Sequence, residues 1–124
     1  ITRLVLCSGK IYYDLIDARE QNNPNNVAIV RLEQLYPFPI EEYQAELDKY
    51  PNLETLAWCQ EEPQNQGAWY QSRHNFANFK QEHINLIYCG RPASASPAVG
   101  NLAKHIKQQK EVVESALYGQ STSV

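Results

Sequence analysis

Leu53-Glu54-Thr55-Leu56-Ala57-Trp58-Cys59-Gln60-Glu61-Glu62-Pro63-Gln64-Asn65-Gln66-Gly67-Ala68-Trp69-Tyr70 is the stretch on which the reading of the fold turns. Leu53 to Cys59 is an apolar run of strand length. Gln60-Glu61-Glu62-Pro63 closes it, because two adjacent carboxylates and a proline disfavour a buried strand. Gln64 to Gly67 reads as a polar turn, and Ala68-Trp69-Tyr70 opens a helix. Strand, acidic loop, helix start is the arrangement at which α/β sheets build sites, at the carboxyl ends of their strands. On spacing alone, a solvated loop with acidic residues near a helix start is the simpler account of Glu61 and Glu62.

Outward from this stretch the same alternation repeats. Leu4 to Cys7 is a short apolar strand ending at Ser8-Gly9, with Ser8 read as a cap. Ile11, Tyr12, Leu15 and Ile16 then keep helical spacing, until the polar run Gln21 to Asn26 dissolves the helix. Val27 to Leu32 is a continuous β-branched run, the pattern of a strand buried on both faces. Pro37 and Pro39 stiffen the connector that follows. Pro39 is placed at the first position of a helix reaching about Tyr50, with Glu41 and Glu42 in its first turn.

Beyond Trp69, residues Arg73, Phe76 and Ala77 mark a helix of about three turns. Ile84 to Cys89 is the fourth strand, and Gly90 to Pro97 a loop of small residues. A last helix starts at Pro97, with Ser96 as its cap and an apolar face of Val99, Leu102, Ala103, Ile106, Val113, Ala116 and Leu117. Residues 1–118 make one domain and 119–124 a frayed tail.

Four strands alternating with four helices predict a three-layer α/β/α domain with a mostly parallel sheet. Right-handed crossovers leave few topologies, and the order 2-1-3-4 is expected. The switch point then falls between the first and third strands, with Ser8, Glu61 and Glu62 facing one crevice.

The chain has 124 residues, 43% hydrophobic and 20% charged, which suits one globular domain with a real core. A net charge of −3 gives no electrostatic case for nucleic acid or an anionic membrane. No run approaches the ~18 apolar residues of a membrane span. The sequence contains no methionine and begins at Ile1, which reads as a piece of a longer chain. Cys7, Cys59 and Cys89 each end an apolar run, so parallel strands would gather all three at one end of the sheet. They form no CxxC pair, and His74, His83 and His105 lack zinc-ligand spacing. No metal is expected, and the thiols read as small buried hydrophobes in a reduced compartment.

Phosphate-binding glycine motifs and a GxSxG elbow are both lacking, so no catalytic residue is assigned. Glu61 and Glu62, adjacent in sequence, should diverge rather than share a proton. Arg91 has two readings. With Ser94 and Ser96, beside the amides of a helix start, it suits a phosphate or carboxylate. Alternatively it pairs with Glu61 or Glu62 across neighbouring strand ends, and Ser96 does no more than cap the helix.

Three longer stretches go further: Arg31 to Pro39 (RLEQLYPFP), Glu61 to Trp69 (EEPQNQGAW) and Gly90 to Gly100 (GRPASASPAVG). In this order and spacing they resemble the carboxyl-terminal domain of the thiamine-diphosphate-dependent decarboxylase component of 2-oxoglutarate dehydrogenase. The resemblance implies a transketolase-like C-terminal domain, with an antiparallel edge strand lying upstream. It implies a parent enzyme that uses thiamine diphosphate and Mg²⁺ to decarboxylate 2-oxoglutarate and pass succinyl to a lipoyl group in the citric acid cycle. Close variants act on 2-oxoadipate.

The partners implied are the upstream domains of the same chain, a homodimer partner and the lipoyl-bearing succinyltransferase component. The compartment implied is bacterial cytoplasm or mitochondrial matrix. That family's cofactor motif, GDG followed by NN, is absent, since Asn22-Asn23 and Asn25-Asn26 have no GDG before them. No cofactor is expected on these residues, and the role implied is a structural and dimer-forming module. Some relatives respond to acetyl-CoA or AMP, which would give the Arg91 loop an effector to bind. The alternative is a free-standing α/β anion- or nucleotide-binding domain.

Overall fold

The computed structural model describes residues 1–22, 24–91 and 102–119. Within them the chain alternates β1 (Arg3–Cys7), α1 (Ile11–Asn22), β2 (Val27–Arg31), α2 (Ile40–Asp48), β3 (Thr55–Pro63), α3 (Trp69–Asn78), β4 (Asn85–Arg91) and α4 (Leu102–Tyr118). The strands form one parallel sheet in the order β2-β1-β3-β4. The expected α/β architecture and strand order are those observed.

Side chains alternate across the sheet, and both sets are apolar because both faces are covered. Leu4, Leu6, Leu56, Trp58 and Tyr88 pack against Tyr43 and Leu47 of α2 and Trp69 and Phe76 of α3. Val5, Cys7, Ala57, Cys59, Ile87 and Cys89 pack against Ile11 and Leu15 of α1 and Val112, Val113, Ala116 and Leu117 of α4. Helices α1 and α4 therefore make one layer, α2 and α3 the other.

Arg3, at the start of β1, ties the sheet to the end of α4. Its Nε donates to the Ala116 carbonyl at 2.7 Å, and its guanidinium also reaches the carbonyls of Ser115 (3.0 Å) and Gly119 (2.7 Å). A fixed cation thus satisfies carbonyls that a helix end leaves without partners. Gly119, read from sequence as the first residue of the tail, also donates its N–H to Ser115 at 2.8 Å. Residues 120–124 lie outside the described residues.

Several expectations need correction. β3 does not stop before Gln60 but runs on through Glu61 and Glu62 to Pro63. β4 likewise includes Gly90 and Arg91, where the sequence pattern predicts loop. β2 is the edge of the described sheet, and its Ile29, Val30 and Arg31 are only partly buried rather than enclosed on both faces. α1 begins at Ile11 and runs to Asn22, so Lys10 rather than Ser8 precedes it. Pro39 stands just before α2 rather than in it, and the helix ends at Asp48. Leu102 and Ile106, on the expected apolar face of the last helix, are 74% and 59% exposed, and burial begins only at Val112. The expected helix start at Pro97, its Ser96 cap and Val99 lie outside the described residues.

Candidate functional site

The strand register places Cys7, Cys59 and Cys89 side by side across three neighbouring strands. Past this row the pairing of β3 with β4 is interrupted, then resumes at Pro63↔Arg91. Four steps along β3 answer two along β4, so Gln60, Glu61 and Glu62 form a bulge opposite Gly90. This is how two acids and a proline remain in a strand.

The bulge is held by Gln60, which is 2% exposed. Its Oε1 accepts from the Trp58 indole at 2.8 Å and from the Trp69 backbone N–H at 3.0 Å. Its Nε2 donates to the carbonyls of Glu62 (3.1 Å), Pro63 (2.9 Å) and Gln66 (2.8 Å). One buried amide thus satisfies the turn between β3 and α3 from within, as a buried polar group must. Gly67 turns the chain at φ +66°, with the Gln60 and Glu62 side chains packed against the place where a Cβ would stand. At Gly90 a Cβ would lie 2.7 Å from Tyr88 Cζ and 3.0 Å from the Gln60 carbonyl oxygen. The Tyr88 hydroxyl passes through that gap to donate to the Arg91 carbonyl at 2.7 Å.

Glu61 and Glu62 diverge. Glu61 accepts from Gln109 Nε2 at 2.8 Å, on the α4 side of the sheet, and the same amide nitrogen reaches Asp14 of α1 at 3.0 Å. Gln109 Oε1 in turn accepts from Arg91 at 3.1 Å. The Arg91 guanidinium also lies 3.2 Å from His105 Nδ1. Arginine can only donate, so the contact is a hydrogen bond where that ring nitrogen accepts. Arg91 is 9% exposed, and its Nε has no partner among the described residues. It makes no ion pair with Glu61 or Glu62 among the described residues; it is joined to Glu61 through Gln109 instead.

Beside this network, α1 and α4 enclose a groove of about 390 Å³ bordered by Asp14, His105, Ile106 and Val113. The structure therefore brings Arg91 and Glu61 together, whereas Ser8 takes no part in these contacts and Glu62 faces away from them. Ser94 and Ser96 lie outside the described residues. Asp14, Gln60, His105 and Gln109 were missed as members of the site. Only Gln60 left a trace in sequence, as a lone amide directly following the most apolar part of its strand.

The thiols are neutral. Burial pushes Cys7 up to about 12 and raises Cys59 and Cys89 as well. All three are free and buried. No group of three or more His, Cys, Asp or Glu able to hold a metal occurs among the described residues. Nor is any helix among them long and apolar enough to cross a membrane. Donors and acceptors are plentiful here, but among the described residues no nucleophile stands beside a base.

A family model described as "2-oxoglutarate dehydrogenase C-terminal" matches residues 1–117. The chain is 56% identical over 117 residues to the 2-oxoglutarate dehydrogenase E1 component of Haemophilus influenzae. It is 53% identical over 116 residues to that of Cupriavidus necator. In both cases the match covers 94% of this chain and 12% of the relative. A mitochondrial 2-oxoglutarate dehydrogenase of Dictyostelium discoideum is 46% identical over 125 residues, covering 97% of this chain and 12% of the relative. The chain thus spans about an eighth of the length of the curated relatives it matches.

Proposed function

The chain belongs to the family of 2-oxoglutarate dehydrogenase C-terminal domains, and from that premise we propose that it is the structural and dimer-forming module of a thiamine-diphosphate-dependent E1 component. The parent enzyme decarboxylates 2-oxoglutarate and passes the succinyl group to the lipoyl group of a succinyltransferase component. Its compartment is the bacterial cytoplasm or the mitochondrial matrix. The observation that carries the reading is the match over residues 1–117 to relatives about eight times as long.

Thiamine diphosphate supplies the carbanion chemistry in such an enzyme, with Mg²⁺ holding its diphosphate. The residues present here do not fit that group. The sequence has no GDG-to-NN motif, and the described residues offer no cluster of ligating side chains. No step through the cofactor is therefore assigned to this chain. Its part is to fold as a rigid domain and present surfaces to the rest of the enzyme.

The test is deletion of the residues matching 1–117 from the parent enzyme. Loss of the dimer and of 2-oxoglutarate decarboxylation is expected. A truncated enzyme that remains a fully active dimer would overturn the role.

A second reading is favoured by one observation, the buried Arg91 Nε without a partner among the described residues. It makes Arg91 an anion site for an effector such as acetyl-CoA or AMP. Titration of the parent enzyme with both, against Arg91→Ala, tests it. If neither ligand shifts any signal near Arg91, and the substitution lowers stability alone, Arg91 is structural.

A further inference from the structure

The connector between β2 and α2 is a ridge fixed from beneath. Phe38 packs against Tyr43 and Phe76, with ring centroids 5.3 Å away in each case and interplanar angles of 73° and 76°. Pro37 and Pro39 restrict the backbone on either side. On this support Tyr36 stands 89% exposed, and Ile40, at the start of α2, is 39% exposed. Across from them, in the first turn of α3, Tyr70 is 55% exposed and lies under the Arg73 guanidinium, 4.8 Å from the ring centroid. Between ridge and helix runs a groove of about 660 Å³. None of the residues lining it is an aspartate, glutamate, lysine or arginine.

We propose that this ridge and groove dock the part of the same polypeptide that precedes the domain, through an uncharged, largely aliphatic surface that receives Tyr36. This rests on the reading of the chain as one module of a longer enzyme. Three points select that occupant. The lining carries no carboxylate, ammonium or guanidinium, its polar groups being Gln71, Ser72, His74 and Asn75, and exposed tyrosines on a stiff backbone are the residue type on which docking energy concentrates. Holding Tyr36 on a proline-bounded ridge removes much of the ordering cost of association. Finally, about seven-eighths of the length of the relatives lies outside the matched region. A tethered surface meets this patch at a high effective concentration, so a modest contact area suffices.

The experiment uses the full-length enzyme, assembled from isotopically light and heavy chains, with Tyr36 replaced by a photoreactive benzophenone amino acid. Crosslinks from position 36 to a peptide preceding the domain are expected within chains of one isotope. In the unsubstituted enzyme, nitration of Tyr36 should be lost relative to the unfolded enzyme. Crosslinks joining light to heavy chains would assign the face to a second copy and overturn the proposal. Crosslinks solely to the lipoyl-bearing component, or nitration as fast as in the unfolded enzyme, would overturn it too. Decarboxylation of 2-oxoglutarate by the unsubstituted enzyme, measured alongside, separates failure of this proposal from failure of the reading beneath it.

Discussion

Arg91 and Glu61, on adjacent strands, do not meet; Gln109 stands between them, accepting from the guanidinium at 3.1 Å and donating to the carboxylate at 2.8 Å. One amide thereby clasps α4 to the ends of β3 and β4, and through Asp14 to α1.

Replacing that amide should loosen all four elements together. Gln109→Ala is expected to cost about 1–2 kcal/mol, because the partners it strands are only partly withdrawn from water. Gln109→Glu keeps the contact with Arg91 but sets a third carboxylate beside Asp14 and Glu61. At neutral pH it should be no more stable than Gln109→Ala. Chemical denaturation read by tryptophan fluorescence distinguishes them. A wild-type midpoint for either variant would show that the clasp contributes nothing.

Gln60 is the more demanding position. Gln60→Ala strands the Trp58 indole and the Trp69 amide and leaves three carbonyls without their donor. A loss on the order of 3 kcal/mol follows. Gln60→Glu retains the acceptor but turns a carboxylate toward those carbonyls. Its deficit should shrink as pH falls, because only the protonated carboxyl can donate. A deficit that grows on acidification would contradict the geometry.

Gly90→Ala should cost about 1–3 kcal/mol through overpacking. The added Cβ would lie 2.7 Å from Tyr88 Cζ and 3.0 Å from the Gln60 carbonyl oxygen. Neither neighbour can yield freely, since Tyr88 is hydrogen-bonded to Arg91 and Gln60 lies in the strand. Thermal unfolding of the variant reads this directly, and an unchanged midpoint would rule the clash out.

Much of this architecture was legible in sequence, and the failures share a cause. Alternating apolar runs and helical spacings are local signals, and right-handed crossovers convert them into the order 2-1-3-4. That Glu61, Glu62 and Pro63 continue β3 could not be read locally. It depends on the Gln60 side chain and on the missing Cβ of Gly90 in the neighbouring strand. The Arg91–Gln109–Glu61 relay joins residues 18 and 48 positions apart, and no spacing rule marks such partners. Arg3 capping α4 across 113 positions is the same case. The exposed Leu102 and Ile106 show the converse: a helical apolar stripe says which residues align, not how far along the helix the core extends.

The buried thiols bear on the response to alkali. Cys7 has its pKa raised from 9.0 to about 12 by burial, and Cys59 and Cys89 move in the same direction. A thiol held neutral in the fold contributes stability that is fully present below about pH 9 and is lost as pH rises toward about 12. Tyr43 and Tyr88, also raised by burial, act in the same sense from a higher starting value. Unfolding midpoints should therefore be flat from pH 7 to 9 and fall above it, and native labelling of all three cysteines should be slow. Rapid labelling at neutral pH would contradict the burial.

Carbon dioxide release from carboxyl-labelled 2-oxoglutarate tests most directly whether this chain is a supporting module rather than the catalyst. The purified 124-residue chain, given thiamine diphosphate and Mg²⁺, should release no more than the protein-free blank, while the parent enzyme containing it turns over. Release above the blank that depends on added thiamine diphosphate would place the cofactor's chemistry on these residues and contradict the assignment.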